Sequence, residues 1–482
     1  MNVGGSSIFL DFQLPSATTW FYLSLALAVG LFVRLRQWWT WQNWDVLLLF
    51  LLAPGLLYLR DCQARRQEAM QVFVQTLSTS LSEAATGHGI TPGVSETVLP
   101  WSRALEATAR FQQADRGVRR AYLLLLLGTA ALLLRCVTDW FLQRRQPFQP
   151  NLSTEGLLWL AIMILAVLSV TTALPAFERP TRPESGTVLI ERAEQVLARQ
   201  PVVERLFDLK RLLAGIAVIC HLLNVAGLFW VGCRHFGRAS LGASAALLYL
   251  LLPYSAYQAR DLLHVAPATL LVGMIAVYRW PGVAGFLLGL GCALVNFPIF
   301  LVPLWTSYYV GRGLRRFLIG LSLAVALLAL ALWWGGSLWR EWQSVWNWPD
   351  WRAWDVSRRP AGEGLWSGIE WHYAYRVPLF VAYLLLALGS AFWPKEKTLG
   401  HLLAWTAALT IGVQFWYGRA GGTYVLWYAP LLVLMVMRPN LRELEERPIP
   451  SWRERLREWW YRFANRTSTA PTPPTASGIS KV

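Results

Sequence analysis

Hydrophobic and polar positions along this chain fall into long blocks rather than short alternations. Apolar runs such as Tyr122 to Leu134, Gly156 to Val170 and Phe317 to Trp334 recur from end to end, separated by stretches carrying Arg, Gly and Pro. Repeated runs of this length predict an all-α, polytopic transmembrane helical bundle; an outer-membrane barrel would show alternating segments of about ten residues. Spans are expected at 19–33, 45–59, 121–141, 157–175, 212–232, 240–253, 262–278, 282–295, 297–310, 317–334, 377–393, 400–417 and 424–437, about 11–13 in all. The stretch 282–310 reads as two arms of about 20 Å each, because Pro298 favours a break at Asn296-Phe297-Pro298. Two short spans and a re-entrant hairpin both fit there, with the same parity.

Threading the spans alternately from an external N-terminus gives short internal loops holding Arg34, Arg36, Arg144, Arg145, Arg234, Arg238, Arg279, Arg312, Arg315, Arg316, Lys395 and Lys397. The short external connections hold only Arg260 and Arg419. Such a bias sets orientation, so a multi-pass cell-membrane protein with an internal C-terminus is expected. Arg34, the first cation, follows the first apolar run, which therefore reads as a span and not as a cleaved signal. The membrane domain is expected over 1–437, with a cytoplasmic tail over 438–482. That tail carries a basic amphipathic piece, Ser451 to Phe463, and a Thr/Pro/Ser-rich end whose composition predicts disorder. Three longer external segments remain. Segment 60–120 is polar and helical in part, with Leu105 and Ala109 at i, i+4. Segment 176–211 reads as a helix lying on the membrane, and 335–376 is rich in Trp.

Composition sharpens this picture. The 482-residue chain is 55% hydrophobic and 15% charged, against about 25% charged in ordinary soluble domains. The net charge of +16 comes from arginines that flank spans, so the expected partners are membrane lipids and not nucleic acid. Five cysteines show no CxxC and no metal-type spacing, and neither a disulfide, a metal nor a cofactor is expected. Trp333 to Trp371 holds ten of the 28 tryptophans. Trp339, Trp342 and Trp346 fall on one helical stripe, and Trp348, Trp351 and Trp354 repeat a spacing of three after Pro349. Indoles so placed serve either as interfacial anchors or as a platform for sugar rings or an acyl-chain carrier.

Polar groups at membrane depth are costly and mark candidates for chemistry. Arg135 and Asp139, at i, i+4, can pair with each other near the internal end of their span. His221 and Asn224, one turn apart, suit a hydrogen bond between helices. In Leu252 to Pro267, Asp261 and His264 share one face at the start of a helix, with Arg260, Tyr254 and Tyr257 close by. They read as a cap on the helix or as a catalytic or binding group. Asp61, directly after the second span, is placed to act as a general base or to pair with Arg60 or Arg65. Glu370 and His372 close the Trp-rich segment. Arg419 opens RAGGTYVLWY, which includes Tyr424. There Gly421 and Gly422 permit close backbone approach, and Arg419 reads either as a phosphate ligand or as a membrane-flanking cation. The candidate catalytic set is Asp61, Asp261 and His264. The candidate binding set is Arg260, Tyr257, Glu370, His372, Arg419, Tyr424, Trp348 and Trp351.

The arrangement of a large external segment after an early span, then short-looped spans, resembles the GT-C superfamily of membrane glycosyltransferases. The best local likeness is His264 to Trp305: a Pro-bearing span, an Arg-Trp-Pro turn, a Gly-rich span and a Pro-rich span. GGTYVLWYAPLL near the end is similar to the closing span of such proteins. The resemblance implies inverting transfer from a polyprenyl-phosphate-linked sugar at the external face. One carboxylate of the first external segment, Asp61 here, would act as base, with cations holding the phosphate. The chain departs from the family in lacking any Asp-X-Asp, Glu-X-Asp or Asp-Glu pair in its long external segments, and in having an additional N-terminal span. A non-catalytic transporter or scaffold is the competing expectation; no convincing internal repeat supports transport.

Overall fold

A computed structural model describes residues 17–34, 36–37, 39–86, 94–139, 148–173, 209–259, 261–334, 355–356, 359–360, 364–367, 372–418 and 420–439. Among them every regular element is helical, and no strand occurs. Three helical stretches, Arg103–Asp139, Ala214–Arg234 and Tyr373–Phe392, are long and apolar enough to cross a membrane by length and composition. Shorter apolar helices cover Ala17–Phe32, Thr154–Val170, Ala239–Leu251, Leu262–Ala276 and Pro281–Leu294. Residues 176–208 of the expected surface helix, the Trp stripes and 440–482 of the tail lie outside the described residues, while 209–211 begin the helix Leu209–Arg234.

The helices that are apolar all round occupy the centre. In α7 (Ala239–Leu251) every residue from Leu241 to Leu251 is buried. The later helices α13 (Leu399–Trp416) and α14 (Ala429–Met437) are nearly as enclosed. Thr406 and Thr410 are buried in α13 without penalty because each hydroxyl donates to the carbonyl one turn back. Thr398 starts that helix through a reciprocal capping box with His401. Around this centre lie α1 (Ala17–Phe32), α5 (Thr154–Ala173), α6 (Leu209–Arg234), α8 (Leu262–Ala276), α11 (Leu314–Trp334) and α12 (Arg376–Phe392). All but α8, whose residues are buried or half-buried, keep large apolar side chains exposed, including Trp159, Met163, Leu223, Ile319, Leu323 and Leu385.

The polar segment 60–120 is more regular than its composition suggests. Helix α3 (Leu52–Thr86) runs without a break out of the apolar block, and α4 (Val94–Asp139) returns along it. The register is antiparallel. Leu52 meets Gly128, Gly55 meets Leu125, and Cys62 meets Gly117. Arg66 pairs with Asp115 at 3.0 Å and Phe73 stacks on Phe111 at 6.1 Å. Asp115 also holds Arg119 one turn on, so the charges satisfy each other along the seam.

The two arms expected in 282–310 are present. Helix α9 (Pro281–Leu294) ends at Val295, a 3-10 turn covers Phe297–Leu301, and α10 (Val302–Tyr309) runs back. Tyr309 Oη donates to the Tyr278 carbonyl at 2.6 Å, bringing the turn after α10 beside the turn before α9. Helix α11 then runs parallel to α9 at backbone contact. A Cβ added to Gly285 would strike the Phe317 carbonyl, and one added to Gly320 would strike the Gly282 carbonyl. The same end gathers His235, bonded to the Ala276 carbonyl, and Arg312, bonded to the Lys397 carbonyl. The opposite end gathers the turns at 254–259, 261–263, 364–367, 372–376, 415–418 and 420–428, joined by contacts described below.

Two further expectations are sharpened. His221 Nδ1 meets Tyr249 Oη at 2.8 Å and Asn224 donates to Thr269 Oγ1 at 2.9 Å, both between helices. Arg135 reaches Asp139 at 3.1 Å as expected, yet its stronger partner is Asp45 of α2 (Trp41–Phe50), which it grips with Nε and Nη2. Asp139 in turn accepts from Arg438. The two arginines and two aspartates, all buried but the partly buried Arg438, balance in charge, and they tie α2, α4 and the end of α14 together.

Candidate functional site

At the end of the bundle opposite His235, the chain makes a short helical turn, Pro253–Tyr257, before α8. Pro253 sits at the first turn, where its missing N–H costs nothing. Asp261 caps α8 by accepting from the Leu263 N–H at 3.0 Å through Oδ1. Its other oxygen, Oδ2, lies 3.3 Å from His264 Nε2. The Asp261 side chain is 40% exposed while His264 is 4% exposed. One carboxylate thus faces out, steadied by a backbone N–H on one oxygen and an imidazole on the other. His264 Nδ1 is buried without a partner among the described residues.

The imidazole is the first member of a stack of four rings. His264 lies against Tyr424 with centroids 5.0 Å apart, Tyr424 against Trp427 at 4.2 Å, and Trp427 against Phe297 at 4.5 Å. All three interplanar angles are near 20°. Tyr417 meets Tyr424 edge-on at 5.7 Å. The stack is locked from the side, because Trp427 Nε1 donates to the Leu263 carbonyl at 2.9 Å. It therefore joins the start of α8, the 3-10 turn before α10 and the turn between α13 and α14.

That last turn is fitted closely. Gln414 Oε1 accepts from the Gly422 N–H at 2.9 Å and Gln258 Nε2 donates to the Thr423 carbonyl at 3.1 Å. Ala420 and Gly422 take positive φ, 44° and 95°. A Cβ on Gly421 would fall 2.5 Å from the Gln414 carbonyl oxygen, so the expected close backbone approach at these glycines is present. Beside it, Arg376 is fully buried; its Nε donates to the Trp416 carbonyl at 2.9 Å and its Nη1 to the Asp355 carbonyl at 3.3 Å. Trp366 Nε1 donates to the Phe415 carbonyl at 3.0 Å. These bonds draw the neighbourhood of the Trp-rich segment onto the same end.

Of the expected site residues, the structure brings Asp261, His264 and Tyr424 into contact. Tyr257 is nearby, with its hydroxyl donating to the Ala17 carbonyl at 2.8 Å. Burial pushes that phenol up, against the pull of the Arg60 charge. Asp61, on the exposed side of α3, pairs with Arg65 at 2.8 Å, the alternative partner read from the sequence. His372 accepts from the Ala374 N–H at 3.3 Å and stacks on Tyr373, capping its own turn. Arg260, Glu370, Arg419, Trp348 and Trp351 lie outside the described residues. Residues that sequence reasoning passed over are Tyr417, Trp427, Phe297, Gln258 and Gln414. The Tyr424/Trp427 spacing of three was the available signal for the stack, and nothing local pointed to Phe297.

Comparison with known proteins adds no relative: no protein-family profile matches the chain, and neither a curated protein nor a solved structure is significantly similar to it.

Proposed function

We propose that this protein is a polytopic membrane glycosyltransferase of the GT-C kind, moving a sugar from a polyprenyl-phosphate donor at the end of the bundle that carries Asp261. The observation that carries the reading is the Asp261–His264 pair, a half-exposed carboxylate backed by a buried imidazole on a wall of stacked rings. Aromatic faces suit the apolar faces of a sugar, and a fixed carboxylate suits proton removal from an acceptor hydroxyl. Membrane embedding is supported by the long apolar helices and by the outward apolar side chains of α5, α11 and α12.

In this reading Asp261 takes the proton as the acceptor oxygen bonds to the anomeric carbon. The bond from that carbon to the phosphate oxygen breaks, the phosphate leaves with the electron pair, and the configuration inverts. His264 holds the carboxylate in place. Arg260 and Arg419, which neighbour the site in sequence, supply positive charge for the leaving phosphate. Asp61 is paired instead with Arg65 on the exposed side of α3. Incubating protein reconstituted in liposomes with radiolabelled polyprenyl-phosphate sugars and a set of acceptors tests the proposal. Release of polyprenyl phosphate is expected; no turnover and no binding of any such donor would remove it.

A further inference from the structure

The end of the bundle opposite Asp261 carries a second feature, which the transferase reading does not use. Helix α11 packs one face, Phe317, Gly320 and Ala324, against α9. Its outward face forms an open groove of about 630 Å³ lined by Leu318, Ile319, Ser322, Leu323 and Ala326, with Arg315 at its foot. Leu318, Ile319 and Leu323 are 42%, 57% and 51% exposed, so no described element covers the groove. Short side chains at Ser322 and Ala326 make the depression, and the larger ones form its walls.

Charge at the foot is one-sided. Arg315 and Arg316 are exposed, and neither has an ion-pair or hydrogen-bond partner among the described residues. Arg312 stacks over Tyr308 at 5.0 Å and donates to the Lys397 carbonyl. Arg279 stacks over Tyr278 at 5.5 Å, and Pro281 touches Gly313, which brings this turn alongside. Trp280, between them in the chain, is 62% exposed, as a residue at a headgroup boundary would be. Against these cations, the neighbouring described turn offers one acid, the exposed Glu396.

We infer that this groove and its arginine foot bind an anionic phospholipid, with the phosphate on Arg315 and Arg316 and an acyl chain along Leu318 to Ala326. A guanidinium matches phosphate oxygens with paired N–H groups, and a chain of methylenes fits the open apolar groove between Leu318 and Ala326. Arg315 at the groove's foot and Arg316, next to it in the chain, favour an anion with a tail. A second helix seated there would bury them without a counter-charge. The inference requires α11 to face lipid but is independent of any transferase activity.

Native mass spectrometry of the full chain in mild detergent, offered equal phosphatidylglycerol and phosphatidylcholine, tests it. Wild type should retain phosphatidylglycerol at least fivefold over phosphatidylcholine. The exposed double variant Arg315→Gln/Arg316→Gln should lose that preference, and Ala326→Leu, which fills the groove, should lower retention of both lipids. Equal retention of the two lipids by wild type would overturn the inference. So would an unchanged preference in the double variant, or displacement of the bound lipid by millimolar inorganic phosphate alone. A dimer abolished by Ala326→Leu, with no lipid preference, would assign the groove to a second copy of the chain instead.

Discussion

Tyr424 lies flat on Trp427, ring centroids 4.2 Å apart and 22° between the planes, and this contact is the middle of the stack that carries His264. Both rings are almost fully buried. Trp427→Ala should therefore cost about 3–5 kcal/mol, the usual loss for a large buried aromatic. Tyr424→Phe, which keeps the ring, should cost less than about 1.5 kcal/mol. Thermal unfolding in detergent compares the two, and equal losses would mean that the stack does not hold this end together.

The glycines of α9 and α11 make a sharper packing test. Gly285→Ala and Gly320→Ala each drive a methyl into partner backbone and should destabilise by about 1–3 kcal/mol. Gly30 and Gly215 also lie in helices, yet have nothing within 4 Å of an added Cβ. Alanine there should be neutral or stabilising by up to about 1 kcal/mol. Four single variants on one melting assay decide it, and a uniform response would contradict the parallel α9–α11 contact.

Among the buried charges, removing one partner leaves another unpaired. Asp139→Asn, facing both Arg135 and Arg438, should cost about 3–5 kcal/mol. Asp61→Asn, at an exposed pair, should cost under about 1 kcal/mol. Chemical denaturation of the two variants side by side would expose a network that carries no weight.

Low pH should weaken the end that holds His235. Burial, with Arg279 adding to it, pushes this imidazole below its ordinary value, and the Ala276 carbonyl offsets only part of the shift. The unfolded chain takes up a proton near pH 6.5 and the folded one does so only lower. The stabilisation is thus complete above pH 6.5 and is lost as pH falls through the folded value. Melting temperature should drop between pH 7 and pH 5 more in wild type than in His235→Gln, which retains a donor for Ala276. Parallel pH profiles would refute the assignment.

What was legible in the sequence was local. Prolines 253, 281 and 298 mark helix starts or breaks, Asp261 caps α8, and Pro298 ends the first arm of the 282–310 pair. The regularity of 60–120 was understated because polar residues hide a helical seam. That seam shows only when Arg66, Phe73, Phe111 and Asp115 are brought together from two strands of sequence. Asp45 and Arg438 completed the charge network from remote positions for the same reason. At the candidate site, the Asp261–His264 spacing was enough to find the pair. The rings behind it come from three separate turns, and no periodicity connects them.

The most direct test of the central claim is the rate of polyprenyl phosphate release by the reconstituted protein carrying Asp261→Asn, measured beside Asp61→Asn. Removing a general base typically slows the chemical step by 10²–10⁴-fold, so Asp261→Asn should fall at least a hundredfold while Asp61→Asn stays within about threefold of wild type. Full activity in Asp261→Asn would contradict the account and return the pair to the role of a helix cap.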